Sequence, residues 1–439
     1  MTGQVQATQT QPDGKLSRPW LALIWIVLLA TAAEFAWLGS VDVNSALTFA
    51  GRLDGALLIL LVAVQMSAFM ALADHKKSVQ HRTYKYAGLV VAVAVFLSFI
   101  VNLGLLVLQA ESLSLTWFIL IWSILTVLSF LVLCRLYRQH KEGALKTPEF
   151  KTFAAGAIAT TLIAVASFTY TQIYQPYTTP AMLTTTVEMG KSSIKSEVVT
   201  VPIRLKTKNE GKVGVYVLGS LYQVTARKPI YSSIARSGHD WLSDINHGQP
   251  SLFRYENEES QVYQLLAQGR FVGQGRKLDP GSEITTDVIV QFPEKSKYEA
   301  LDATSDVVFL RADRALLTSD EYAQSGRSSW HKDKTHAEKE EAPGWVAEKG
   351  VEVFRYKSRV IHSNAILEYT RSSRYVTVWW VLEEPKKMWN GPYLVAVISP
   401  DREERRKPEV GLLQQLSDEY GLDHSLSGRI QKTMQQLAN

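Results

Sequence analysis

The nonapeptide HDWLSDINH holds four side chains able to ligate a divalent metal: His239, Asp240, Asp244 and His247. Imidazole nitrogens and carboxylate oxygens bind zinc when three or four of them converge on one point. On a helix, His239 and His247 lie about two turns apart with Asp244 offset between them. That spacing matches no zinc motif, so a polar loop or helix face with satisfied side chains is the competing expectation.

A second constellation, EYTRSSRYVTVWWVLEE, gathers Tyr369, Arg371, Arg374, Tyr375, Trp379 and Trp380. An exposed aromatic row stacks on sugar rings, and guanidinium forks grip carboxylates or phosphates, all of them present in envelope polymers. A strand covered on both faces produces the same letters, because consecutive tryptophans point to opposite sides. A third set lies inside long apolar runs: Glu34, Gln65 and Asn102, with Ser98 and Gln109. Glu34 is the one ionisable group well within a run, and an intramembrane carboxylate is costly enough to suggest proton or ion coupling. It falls in the outer third of its run, near Trp37, where water or headgroups reach. Gln65 and Asn102 are expected to be hydrogen-bond partners between helices.

No nucleophile elbow, phosphate loop, zinc-protease helix or Ser or Cys with an adjacent base is present. The single cysteine, Cys134, ends an apolar run, which excludes an intramolecular disulfide and a cysteine-based redox or metal motif. No cofactor is implied.

The elements that must position these residues divide the chain in two. The first 170 residues carry 12 of the 47 Lys and Arg and 8 of the 42 Asp and Glu. The net charge of +5 therefore sits mostly in short loops of an apolar half and reads as topology, not as a nucleic-acid footprint. Five runs are long enough to cross a hydrocarbon core of about 30 Å. They are Pro19 to Ser40, Gly55 to Ala73, Ala87 to Ala110, Leu115 to Leu136 and Phe153 to Tyr170. The second loop holds Lys76, Lys77, Arg82 and Lys85, and the fourth Arg135, Arg138, Lys141, Lys146 and Lys151, whereas the first has one Arg and the third no cation. Cytoplasmic loops retain Lys and Arg. The amino-terminal tail and loops two and four are therefore expected inside, and everything after Tyr170 outside. A cleaved signal peptide, with Lys15 and Arg18 as its basic region and Ala30, Thr31 and Ala32 as its cleavage site, is the competing reading of the start. It leaves the final orientation unchanged.

Beyond a stalk at 175–186 the hydrophobic period falls to two. Val199, Val201, Ile203 and Leu205 alternate with polar residues, as do Val213, Val215 and Val217 after the turn letters Asn209, Glu210 and Gly211, which predicts a hairpin. Further strands are expected at 261–272, 283–292, 305–311, 351–361, 365–370, 374–383 and 393–398. The fold class expected is thus a five-span helical membrane region at 19–174 after a polar tail at 1–18, followed by a mainly β extracytoplasmic domain. An immunoglobulin-like antiparallel sandwich at 187–318 leads that domain. A charged loop or insertion at 319–345 separates it from further strands and helices at 346–439. Leu422, Leu426, Ile430, Met434 and Leu437 recur at three and four residues and predict a carboxy-terminal amphipathic helix.

On this architecture the expected partners are the lipid bilayer and an envelope polymer or membrane protein. The expected role is non-enzymatic recognition or assembly at the outer surface. An envelope-polymer hydrolase or transferase, and a transporter or proton-coupled sensor using Glu34, are the alternatives.

Overall fold

The computed structural model describes residues 18–75, 87–111, 116–141, 170, 181–228, 237–239, 242, 262–296, 298–325, 342–347, 351–382, 392–400, 407 and 409–438. The chain forms two compact units, one of residues 1–176 with 362–372, the other of 177–361 with 373–439.

The first unit is helical. Four helices are each long and apolar enough to cross a membrane: α1 (Arg18–Ser45), α2 (Phe49–His75), α3 (Ala87–Glu111) and α4 (Phe118–Lys141). They match four of the five expected spans; the fifth, Phe153 to Tyr170, lies outside the described residues except for Tyr170. Their polarity is inverted relative to a water-soluble bundle. Ile26, Leu60, Val107, Ile124 and Val127 face outward, while Thr31, Gln65, Ser98, Asn102 and Ser129 are buried between helices. Such a bundle is built for a solvent that cannot hydrogen-bond.

The first connection is shorter than expected. α1 continues to Ser45 and α2 begins at Phe49, so only residues 46–48 link them. The Asn44 and Ser45 side chains bond back to the carbonyls of Ser40 and Val41, each at 2.7 Å, and keep the last turn closed. Gly39 and Gly55 let α1 and α2 meet there: a Cβ on Gly39 would lie 2.7 Å from the Gly55 carbonyl oxygen. Asp42 and Asp54, expected in a loop, are consequently helical and buried.

The second unit stacks three antiparallel sheets. The first contains β1 (Leu183–Met189), β2 (Ser193–Lys195), β3 (Val198–Asn209) and β7 (Glu283–Pro293), with β3 between β7 on one side and β1 and β2 on the other. The second contains β4 (Val215–Lys228), β5 (Val262–Gly269), β6 (Arg276–Leu278), β8 (Ala300–Arg311), β13 (Asp423–Leu426) and β14 (Ile430–Thr433). The third orders β9 (Ala315–Ser325), β10 (Val353–His362), β11 (Arg374–Val381) and β12 (Tyr393–Ser399) by adjacency.

Alternation explains the layering. Val201, Ile203 and Leu205 of β3 pack on Val217 and Val224 of β4 and on Leu301, Val307 and Phe309 of β8. The opposite face of the second sheet, through Leu218, Leu221, Val308 and Leu310, packs on Tyr356, Val378 and Trp380 of the third. The second sheet is therefore buried on both faces, and β8 is buried along almost its whole length, its polar Asp302, Ser305 and Arg311 included. A bulge at Leu218 lets β4 serve both cores, since Val217 opposes Phe309 and Gly219 opposes Val308.

Three expectations change. β3 and β4 are not a hairpin: β3 pairs with β1, β2 and β7, whereas β4 pairs with β5, β6 and β8. The Asn209 carboxamide holds the arch between the sheets, donating to the Val213 and Leu278 carbonyls at 2.9 and 3.0 Å. Residues 365–370 form a helix, α5 (Ala365–Thr370), because the Asn364 side chain caps it by accepting the Leu367 N–H at 2.9 Å. The stripe from Leu422 to Leu437 is not one helix. Gly421, at a φ of +65°, ends α6 (Val410–Tyr420), and the chain then pairs twice with β8 before the short α7 (Met434–Ala438). The amphipathic helix is α6 instead, burying Leu416 and Tyr420 against the core of the second and third sheets.

β1 begins inside the stretch expected as stalk. β9 runs to Ser325, into the stretch expected as a charged loop, and residues 326–341 of that loop lie outside the described residues.

Candidate functional site

The polar residues of the apolar runs converge inside the helical unit. Gln65 of α2 donates to Ser98 Oγ at 2.9 Å and to the Ala94 carbonyl at 3.0 Å, both on α3. Ser98 Oγ lies 3.3 Å from Thr31 Oγ1 of α1, and Asn102, one turn along α3, donates to the Ser98 carbonyl at 2.9 Å. Beside Asn102 lies Glu34, one turn beyond Thr31 on α1, with its carboxyl faced by the side chains of Asn102 and of Trp122 from α4. Neither reaches hydrogen-bond geometry, so both Glu34 oxygens and Asn102 Oδ1 are buried without a partner among the described residues. A polar ladder drawn from all four helices thus ends at a buried acid.

A segment from between two strands covers the next level. Residues 362–372, which connect β10 to β11, belong to the helical unit. Asp42 accepts the Ala365 N–H, the Leu47 N–H donates to the Ser363 carbonyl at 2.9 Å, and Thr116 Oγ1 donates to the Tyr369 carbonyl at 2.8 Å. Ala365 and Ile366 are buried with Phe35, Leu38, Leu58, Leu105 and Trp122. The Tyr369 ring lies 4.5 Å from Trp37 and 5.0 Å from Phe118, and Phe118 lies 5.6 Å from Trp122. His362 closes the segment on itself, its ring nitrogen 2.8 Å from the Glu368 carboxylate.

No family profile matches the chain, and no curated protein matches it. Among solved structures, the crystal structure of Spo0M, a sporulation control protein from Bacillus subtilis, aligns over 54% of this chain and 98% of its own. The identity is 12% and the TM-score 0.18, a score at which the likeness carries no argument.

The other two constellations fare differently. Of the HDWLSDINH residues, Asp240, Asp244 and His247 lie outside the described residues, and His239 is exposed. Among the described residues no group of three or more His, Cys, Asp or Glu is placed to hold a metal. The aromatic and arginine patch is divided: Tyr369 and Arg371 are in the helical unit, whereas Arg374, Tyr375 and Trp379 are in the β unit. Trp379 is 2% exposed and Trp380 0%. Trp379 packs with Val346, Val353 and Val381, and Trp380 lies over Gly219 and donates to the Ser220 carbonyl at 2.9 Å. Neither ring offers an open face for a sugar, and the two-sided burial of β11 accounts for both indoles.

Sequence reasoning named Glu34, Gln65, Ser98 and Asn102, and missed Thr31, Trp122 and the docked segment. Asn364, a capping residue three ahead of Leu367, was the available signal for the segment's helix; nothing in the letters signals where it docks.

Proposed function

We propose that this protein is a membrane-anchored recognition or assembly module whose β unit, led by an immunoglobulin-like sandwich, acts at the extracytoplasmic surface on an envelope component or partner protein. The carrying observation is the seating of residues 362–372 among the helices at Leu47 and Thr116. These residues flank the two cation-poor connections, the ends that positive-inside bias leaves outside. α4 ends at the opposite, cation-rich side with Arg135, Arg138 and Lys141. The chain must cross once more before it can supply residue 362 at the outer end, which supports a fifth span over 153–170.

The orientation is tested with single cysteines in a Cys134→Ser background. Ile289→Cys, at a position 66% exposed on β7, is expected to react with a membrane-impermeant maleimide on intact cells. Ser78→Cys in the second loop is expected to react only after permeabilisation; the reverse pattern overturns the reading. The role is tested by incubating the reconstituted protein with isolated envelope polymer. Salt-resistant retention without release of soluble fragments is expected, and fragment release would assign the hydrolase alternative.

A further inference from the structure

Glu34 is faced by the side chains of Trp122 and Asn102 and by no cation. Its two oxygens, Asn102 Oδ1 and, one turn away, Gln65 Oε1 are all buried without a donor among the described residues. The sequence places no Lys, Arg or His in 19–51, 53–74, 87–111 or 116–134, so the basic groups of the four helices lie toward their ends, and none is among the groups that act on Glu34. Of the charged or titratable groups on the elements packed here, α1 itself offers Arg18 and Asp42, α2 offers Arg52, Asp54, Asp74 and His75, and the docked segment offers His362, Glu368, Tyr369 and Arg371. α3 and α4 offer only groups at their ends. The side chains that face the carboxyl, Trp122 and Asn102, are uncharged. An ionised carboxylate held this way pays for its desolvation with no counter-ion. A carboxylic acid carries one O–H donor, and that single proton completes a hydrogen bond wanted at both Glu34 and Asn102 Oδ1.

We propose that Glu34 is an intramembrane proton-binding site, its neutral acid donating to Asn102 Oδ1, and that Tyr369 of the docked segment lids its outer approach. The lid is continuous: Tyr369 packs on Trp37 and Phe118, and Phe118 packs on the same Trp122 that faces Glu34. A displacement of Tyr369 would therefore open the acid to outer water. The site itself stands independently of what the β unit recognises.

Dicyclohexylcarbodiimide tests the site, because it enters bilayers and adds to protonated carboxyl groups to leave a stable N-acylurea. Mass spectrometry of the full-length protein in vesicles is expected to find the adduct at Glu34, with labelling that falls as pH rises. Glu34→Gln is expected to lose it, and Tyr369→Ala to accelerate it several-fold. Infrared spectroscopy of the unmodified protein supplies a second readout that needs no variant to fold: a protonated-carboxyl carbonyl band that titrates with pH. Absence of both adduct and band overturns the proposal, and protection by sodium at fixed pH overturns it in favour of a metal-cation site. Unchanged labelling kinetics in Tyr369→Ala overturns the lid.

Discussion

Replacing Gly55 with alanine puts a Cβ 2.7 Å from the Val43 nitrogen, 2.8 Å from the Asp42 Cβ and 2.8 Å from the Gly39 carbonyl oxygen. Two of these three atoms are backbone, so no rotamer change relieves the overlap. Optimal non-bonded separations begin at about 3.5 Å, so α1 and α2 must part locally by roughly 0.8 Å. Overpacking of this kind costs about 1–3 kcal/mol. Gly104 on α3 is the matched control, since a Cβ there meets nothing within 4 Å. In a helix interior that change is favourable by about 0.5–1 kcal/mol. The two variants should therefore differ by about 1.5–4 kcal/mol, with opposite signs relative to the parent. Thermal unfolding of the purified full-length protein in one detergent measures the difference. Because Asp42 both abuts Gly55 and accepts the Ala365 N–H, Gly55→Ala should also expose residues 362–372 to protease before global unfolding. A Gly55→Ala protein as stable as Gly104→Ala would refute the close-packed α1 and α2 contact and the coupling argued from it.

Asp302→Ala leaves Arg227 buried without the carboxylate that it shares with Arg429, and denaturation of the full-length protein should show a loss of about 3–5 kcal/mol. Trp380→Phe removes the donor to the Ser220 carbonyl and part of a fully buried ring, for an expected loss of about 1–3 kcal/mol by near-ultraviolet circular dichroism. His424 gives the β unit a pH signature. Its hydrogen bond to Asp306 holds the imidazolium above the usual histidine range, against desolvation that pulls the other way and with help from the charges of Asp306 and Asp423. The native state thus holds the proton more tightly than the unfolded chain. The stabilisation is complete below the unfolded value of about 6.5 and is lost as pH rises through the elevated native value. His424→Gln should flatten that slope in denaturation midpoints, and an unchanged slope would count against the Asp306 pairing.

The apolar runs made the four helices legible because lipid solvates their outer faces, and no packing detail is needed to see twenty uncharged residues. The same logic picked out Glu34, Gln65 and Asn102 as polar letters in the wrong solvent. Their convergence was not legible, since it depends on helix rotation, and Thr31 and Trp122 look ordinary in a membrane helix. In the β unit, alternation assigned Val201 and Val217 to a buried face, but a hairpin and an arch bury the same residues, so the partner sheet stayed hidden. The stripe from Leu422 to Leu437 obeyed a helical period and still became strands, because ladder bonds to β8, more than a hundred residues earlier, outcompeted local periodicity. Residues 365–370 show the converse: a polar cap three residues ahead of Leu367 decided a helix that hydrophobic pattern alone read as extended.

β13 and β14 lie end to end along the side of β8 that faces away from β4. During synthesis β8 is therefore made long before its second neighbour exists, and its bare backbone edge is a template for any other extended segment nearby. A chain with that birth order needs either rapid completion or a holding factor, and a slow ribosome near codon 420 would be expected to raise aggregation without altering a single side chain.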